Sequence, residues 1–97
     1  MKLMVCIVNN YYADNVEKQL RKKGYRMTEL ASTGGFMRKG NTTFLFGIDE
    51  EHIDTLKVAL QEACLEVEQV RGKRKGQENR YTSFLVDANP MLAHILT

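Results

Sequence analysis

The sequence predicts an α+β fold: a ferredoxin-like sandwich of βαββαβ order, with an antiparallel sheet and two helices on one of its faces. Three observations predict it. Four short runs rich in β-branched and aromatic residues are spaced along 97 residues, with an amphipathic stretch inside each half. The middle two runs, 25–33 and 41–48, are separated by too few residues for a helix, so they pair as a hairpin. Each outer run reaches the hairpin through a helix, and right-handed crossovers on both sides gather the four strands into one sheet.

The first strand is expected at 2–8, where LMVCIV is a continuous apolar run suited to a buried central position. Asn9 and Asn10 end it, and Tyr11 and Tyr12 follow as packing residues at the strand exit or as a lid. Helix one is expected over 13–23. Asp14 is its cap or first-turn acid, and Val16 and Leu20 share a face. Arg21, Lys22 and Lys23 fill the last turn, where cations suit the dipole, and Gly24 is the stop. Read as a solvated helix end, that cluster needs no anion. Strand two, 25–33, alternates Tyr25, Met27, Glu29 and Ala31 on one face with Arg26, Thr28, Leu30 and Ser32 on the other. A loop over 34–40 leads to strand three at 41–48.

Asp49 is expected as the N-cap of helix two, with Glu50 and Glu51 in its first turn. Ile53, Leu56, Leu60, Ala63, Cys64 and Val67 then follow helical spacing. The region 66–80 is the least regular, and RGKRKGQENR reads as a mobile loop. Its Arg71, Lys73, Arg74, Lys75 and Arg80 face one acid, Glu78, so it is expected to draw an anionic ligand electrostatically. Strand four is expected at 81–86, a turn at 87–90 and a short terminal helix at 91–96.

The bounds agree with a single domain over 1–97, with a core in 1–65 and 80–88, the basic loop at 71–80 and a tail at 89–97. Hydrophobic residues make up 43% and charged residues 27%, as in a soluble globular chain. A net charge of +2 argues against nucleic acid as the partner. An RNA reading needs aromatics on an open sheet face, for which Tyr25, Phe44 and Phe46 are the candidates. Cys6 and Cys64 lie in apolar segments without metal-binding spacing and are expected as buried, reduced thiols of a cytoplasmic protein. His52 has no second ligand at metal-binding spacing. No run reaches membrane-spanning length, and the opening strand leaves no room for a signal peptide. With no Cys–His pair, paired acids or metal cluster, no catalytic residue is assigned and an enzyme is not expected.

The chemistry concentrates in RMTELASTGGFMRKGNTTFLFGI, residues 26–48. Backbone N–H groups near paired glycines can form a nest for an anion. Phe36 offers a stacking face for a base, and the neighbouring hydroxyls and amide offer hydrogen bonds to a sugar or base edge. These residues suit a nucleotide-like ligand.

The run ASTGGFMRKGNTTFLFG, preceded by Arg26 and Thr28, resembles the signature of the PII-like cyclic-di-AMP receptor family, the PstA and DarA proteins of bacteria. MKLMVCIVNN is similar to that family's first strand, and the resemblance runs through residues 1–65 without a gap. It implies a cytoplasmic homotrimer that binds cyclic di-AMP in three clefts between subunits, relays it to a protein partner, uses no cofactor and catalyses nothing. The matching positions are Arg26, Thr28, Gly35, Phe36, Met37, Asn41 and Gly47. The backbone around Gly35 to Met37 is expected to hold a phosphate, and Phe36 to stack on adenine. Thr28, Asn41 and the Gly47 backbone are expected to bond base or ribose, and Arg26 to pair a phosphate or stack on a base. Phe84 corresponds to a second aromatic, offered by an adjacent subunit.

This sequence also departs from the family. RGKRKGQENR replaces a much longer segment, Gly24 stands where an assisting asparagine is often found, and the tail after Ala88 does not match. The alternative is a PII-like module that has lost cyclic di-AMP and binds another nucleotide or only a protein.

Overall fold

Burial along the first strand sets the architecture. In β1 (Lys2–Asn9), Met4, Cys6 and Val8 are fully buried, while Val5 and Ile7 between them are half-buried. One face of the strand therefore lies under helices and the other lies open. The computed structural model describes residues 1–30, 40–73 and 80–87. Among these, β1 is followed by α1 (Asn10–Lys22), β2 (Arg26–Glu29), β3 (Asn41–Ile48), a 3₁₀ turn at Glu50–His52, α2 (Ile53–Arg71) and β4 (Tyr81–Asp87). The strands form one sheet in the order β2-β3-β1-β4, with every neighbouring pair antiparallel. This is the expected α+β sandwich. The loop over 34–39, the end of strand two beyond Leu30 and the terminal helix at 91–96 lie outside the described residues.

Helix α1 starts three residues earlier than the sequence predicts. The Asn9 side chain accepts a 2.9 Å hydrogen bond from the Tyr11 N–H, so Asn9 ends the strand and caps the helix at once. Tyr11 and Tyr12 thus occupy the first helical turn and not a strand exit, and Asp14 is not the cap. The buried face runs Tyr12, Ala13, Val16 and Leu20. At the other end Gly24 has φ +92, its N–H bonds Arg21 O at 3.0 Å, and the Tyr25 N–H bonds Leu20 O at 3.1 Å. This paired arrangement satisfies two terminal carbonyls and requires a residue free of a Cβ penalty at Gly24.

The entry to α2 also differs. Asp49 makes no side-chain capping bond. Its backbone carbonyl instead accepts the His52 N–H at 2.9 Å, tightening a 3₁₀ turn, and His52 takes the cap position of α2. The helix then runs to Arg71, well into the region expected to be irregular. Polar contacts to α1 hold its last turns. Tyr12 Oη donates to Glu68 Oε2 at 2.6 Å, and Arg80 grips the same carboxylate with Nε at 2.9 Å and Nη2 at 3.1 Å. The Arg71 guanidinium stands 4.2 Å over the Tyr11 ring, and Tyr11 Oη donates to Gly72 O at 2.7 Å.

The core between helices and sheet contains Met4, Cys6, Val8, Val16, Leu20, Phe44, Phe46, Leu56, Leu60 and Cys64. Burying each of the large apolar side chains stabilises the fold by roughly 1.5–3 kcal/mol. Burial pushes the Cys6 thiol up to about 12 and the Cys64 thiol up to about 11, so both are neutral. Both are free and buried, as expected. No helix among the described residues is long and apolar enough to cross a membrane.

Candidate ligand groove

The register of β2 on β3 builds the site. Arg26 stands opposite Gly47, and Thr28 stands opposite Leu45. Met27, between them, is buried under the helices, so alternation puts Arg26 and Thr28 on the open face. Gly47 leaves the space beside Arg26 unfilled. Among the described residues, a Cβ there would meet only Met1 Sδ, at an ordinary 3.7 Å, so their packing does not itself demand glycine. The space opens into a groove of about 610 Å³ lined by Met1, Lys23, Gly24, Tyr25, Arg26, Gly47, Ile48, Asp49 and His52. Two expected ligand residues, Arg26 and Gly47, therefore share one groove with Gly24.

Among the described residues, neither Lys23 nor Arg26 has an ion-pair partner within this chain, and neither does Asp49. His52 Nε2 lies 3.6 Å from Glu51 Oε1. The groove thus offers two cationic side chains, Lys23 and Arg26, and the Asp49 carboxylate to an incoming ligand. Lys23, Asp49 and His52 are additions that sequence reasoning missed. Their signal was nearness in the chain, Lys23 beside Gly24 and Asp49 and His52 within the turn that follows Gly47, the two turns that the sheet register brings together.

The other expected residues lie elsewhere. Asn41 is six residues along β3 from Gly47, about 20 Å at the strand rise, and pairs with Asn9. Phe84 lies on the opposite edge of the sheet, at the end of a row Thr28, Leu45, Val5, Phe84 on the open face. Three strand spacings separate the ends of that row, about 14 Å. Gly35, Phe36 and Met37 fall outside the described residues. Near Asn41, the Asn10 N–H bonds Gly40 O at 2.9 Å and the Asn9 N–H bonds Arg80 O at 3.1 Å. The chain leaving the 31–39 segment and the chain leaving the 74–79 segment are therefore both fastened to Asn9–Asn10.

Two expectations change here. Arg71 and Arg80, counted among the cations offered to a ligand, are engaged in the Tyr11 and Glu68 contacts. Hydrogen bonds from Arg80, then from Tyr12, hold the Glu68 carboxyl down at about 2, so this pair stays charged near neutrality. Phe44 and Phe46 are buried beneath the helices, which removes the base-stacking platform that an RNA reading needs.

The family model for the cyclic-di-AMP receptor matches residues 1–90. The chain belongs to the cyclic-di-AMP receptor family. As a receptor-family member it falls among proteins that bind and signal rather than catalyse. Its fold is also similar to that of a crystal structure of a functionally unknown protein from Pediococcus pentosaceus. That protein is 25% identical, with 91% of each chain covered and a TM-score of 0.64.

Proposed function

We propose that this member of the cyclic-di-AMP receptor family binds cyclic di-AMP in clefts between the subunits of a homotrimer and passes the signal to a protein partner in the cytoplasm. The observation that carries the reading is the groove: the family match covers the residues that build it, and Arg26 stands there beside the side-chain-free Gly47. Arg26 pairs a phosphate, Thr28 bonds ribose or base, and the backbone of Gly35 to Met37 cradles the second phosphate while Phe36 stacks on adenine.

Assembly is supported by the open sheet face. Val5, Ile7, Leu45, Phe84 and Val86 occupy it by alternation beside the already buried Leu3, and Phe84 is 50% exposed. An apolar face of that breadth favours burial against other copies. The separation of Phe84 from Arg26 argues the same way, since one copy's Phe84 reaches a groove only on a neighbour.

Calorimetric titration tests the function. Cyclic di-AMP is expected to bind, while cyclic di-GMP and ATP give little heat. Phe36→Ala is expected to lose about 1–3 kcal/mol of binding, the value of a base stacked on an aromatic. Absence of cyclic di-AMP binding, with heat from ATP instead, would establish the alternative of a module with another nucleotide ligand.

A further inference from the structure

We propose that Lys23 is a second phosphate-binding cation of the groove, acting beside Arg26, and that the Asp49 carboxylate opposes both. The proposal rests on the reading of the groove as a cyclic di-AMP site.

The basic cluster at the end of α1 divides into residues with different tasks. Arg21 is tied to Glu17 by a 3.0 Å ion pair one turn back, which accounts for it as part of the helix surface. Lys22 does not line the groove, whereas Lys23 does. The backbone at Lys23 is held by its N–H on Gln19 O, at 3.1 Å. The reversal at Gly24, with φ +92, then carries the chain back to Arg26 within three residues. Lys23 and Arg26 consequently approach the same groove from two elements, and neither has an ion-pair partner among the described residues.

The two cations differ in kind. A guanidinium offers a fixed fork of donors, whereas an ammonium on a flexible stem acts as a point charge. Arg26 therefore orients a phosphate, while Lys23 attracts it with little geometric demand. Asp49 brings the opposite charge to the lining of the same groove, and its side chain makes no capping bond to the following turn. The affinity of the groove for a dianionic ligand is then set by the balance of Lys23 and Arg26 against Asp49.

Calorimetric titration of cyclic di-AMP into the parent, Lys23→Gln, Asp49→Asn and Lys22→Gln proteins at low and high salt tests this. Lys23→Gln should bind about fivefold more weakly at low salt, the upper end for an exposed charge pair. Asp49→Asn should bind more tightly by a similar factor, and Lys22→Gln should match the parent. The differences should shrink below about twofold near 1 M salt, where screening acts within about 3 Å. Opposite shifts from two exposed residues are not produced by a structural role. A parent that binds, with Lys23→Gln indistinguishable from Lys22→Gln, overturns the role of Lys23 alone. A parent that gives no heat overturns the reading of the groove and this proposal with it.

Discussion

Replacing Tyr12 by Phe isolates the polar contact that joins α1, α2 and Arg80, the residue before β4. The hydroxyl donates a 2.6 Å bond to Glu68 Oε2, while the ring is fully buried and packs edge-on against Tyr11 at 5.1 Å. The substitution keeps the ring and removes only the donor. A hydrogen bond to a charged group contributes about 1.5–3 kcal/mol. The lower end applies, because Arg80 still holds the carboxylate through two N–H groups and the Glu68 side chain keeps 12% exposure to water. A loss of about 1.5 kcal/mol lowers the melting temperature of a domain this size by roughly 6–12 °C. Denaturant titration at matched protein concentration measures it, since the proposed assembly would make stability concentration-dependent. The pH dependence gives a second reading. Burial, then the bond to Glu68, pushes the Tyr12 hydroxyl up to about 12 from its ordinary 10.0. A raised value contributes stability that is intact below pH 10 and lost as pH rises toward 12. Tyr12→Phe should therefore show a shallower alkaline decline, with Cys6, Cys64 and Tyr81 supplying what remains. On the acid side, Glu68 sits at about 2 against an ordinary 4.5, so its contribution is present above pH 4.5 and lost as pH falls toward 2. Without the Tyr12 donor the folded value lies nearer 4.5, so the acid loss should be smaller and complete at a higher pH. A variant with the parent's midpoint and both limbs unchanged refutes the structural role assigned to this contact.

Other consequences are open to direct measurement. Leu45→Lys, in the middle of the open sheet face, should yield a monomer by light scattering with an unchanged far-ultraviolet spectrum; a persisting trimer would contradict the proposed use of that face. Gly24→Ala should cost about 1–2 kcal/mol in denaturant titration, because the left-handed backbone there disfavours any Cβ although no atom of the described residues lies within 4 Å of one. Cys6 and Cys64 should resist a thiol reagent in the folded protein and react once it is denatured, and fast reaction under native conditions would contradict their burial.

Strands and their faces were legible because period-two alternation is a local property of the chain: Met27 between Arg26 and Thr28 already separates a covered from an open side. The hairpin followed from the short connection, and the gathering of the four strands into one sheet from the handedness of crossovers. The start of α1 was not legible, since the cap is a side-chain bond from Asn9 and Tyr12 extends the buried stripe of Val16 and Leu20 by only one turn. The end of α2 was hidden for a different reason. Its last turns depend on Tyr11 and Tyr12, about sixty residues earlier, and on Arg80 beyond it, so the polar composition of 66–71 resembles a loop when read alone. At the groove, Arg26 and Gly47 emerged from the family signature, whereas their juxtaposition needed the β2–β3 register. Lys23 and Asp49 carry no motif, and only the fold brings their two turns to one space.

The most direct test of a site shared between subunits is complementation. In the proposed trimer Arg26→Ala and Phe84→Ala would damage opposite sides of the same cleft, and each variant alone should bind cyclic di-AMP weakly. When the two are refolded together and assort at random in a three-fold ring, about a quarter of the clefts pair an intact Arg26 with an intact Phe84. Calorimetry of the mixture should then recover parental affinity at about a quarter of the parental stoichiometry. A mixture that binds no better than its two components would contradict a cleft built by neighbouring copies.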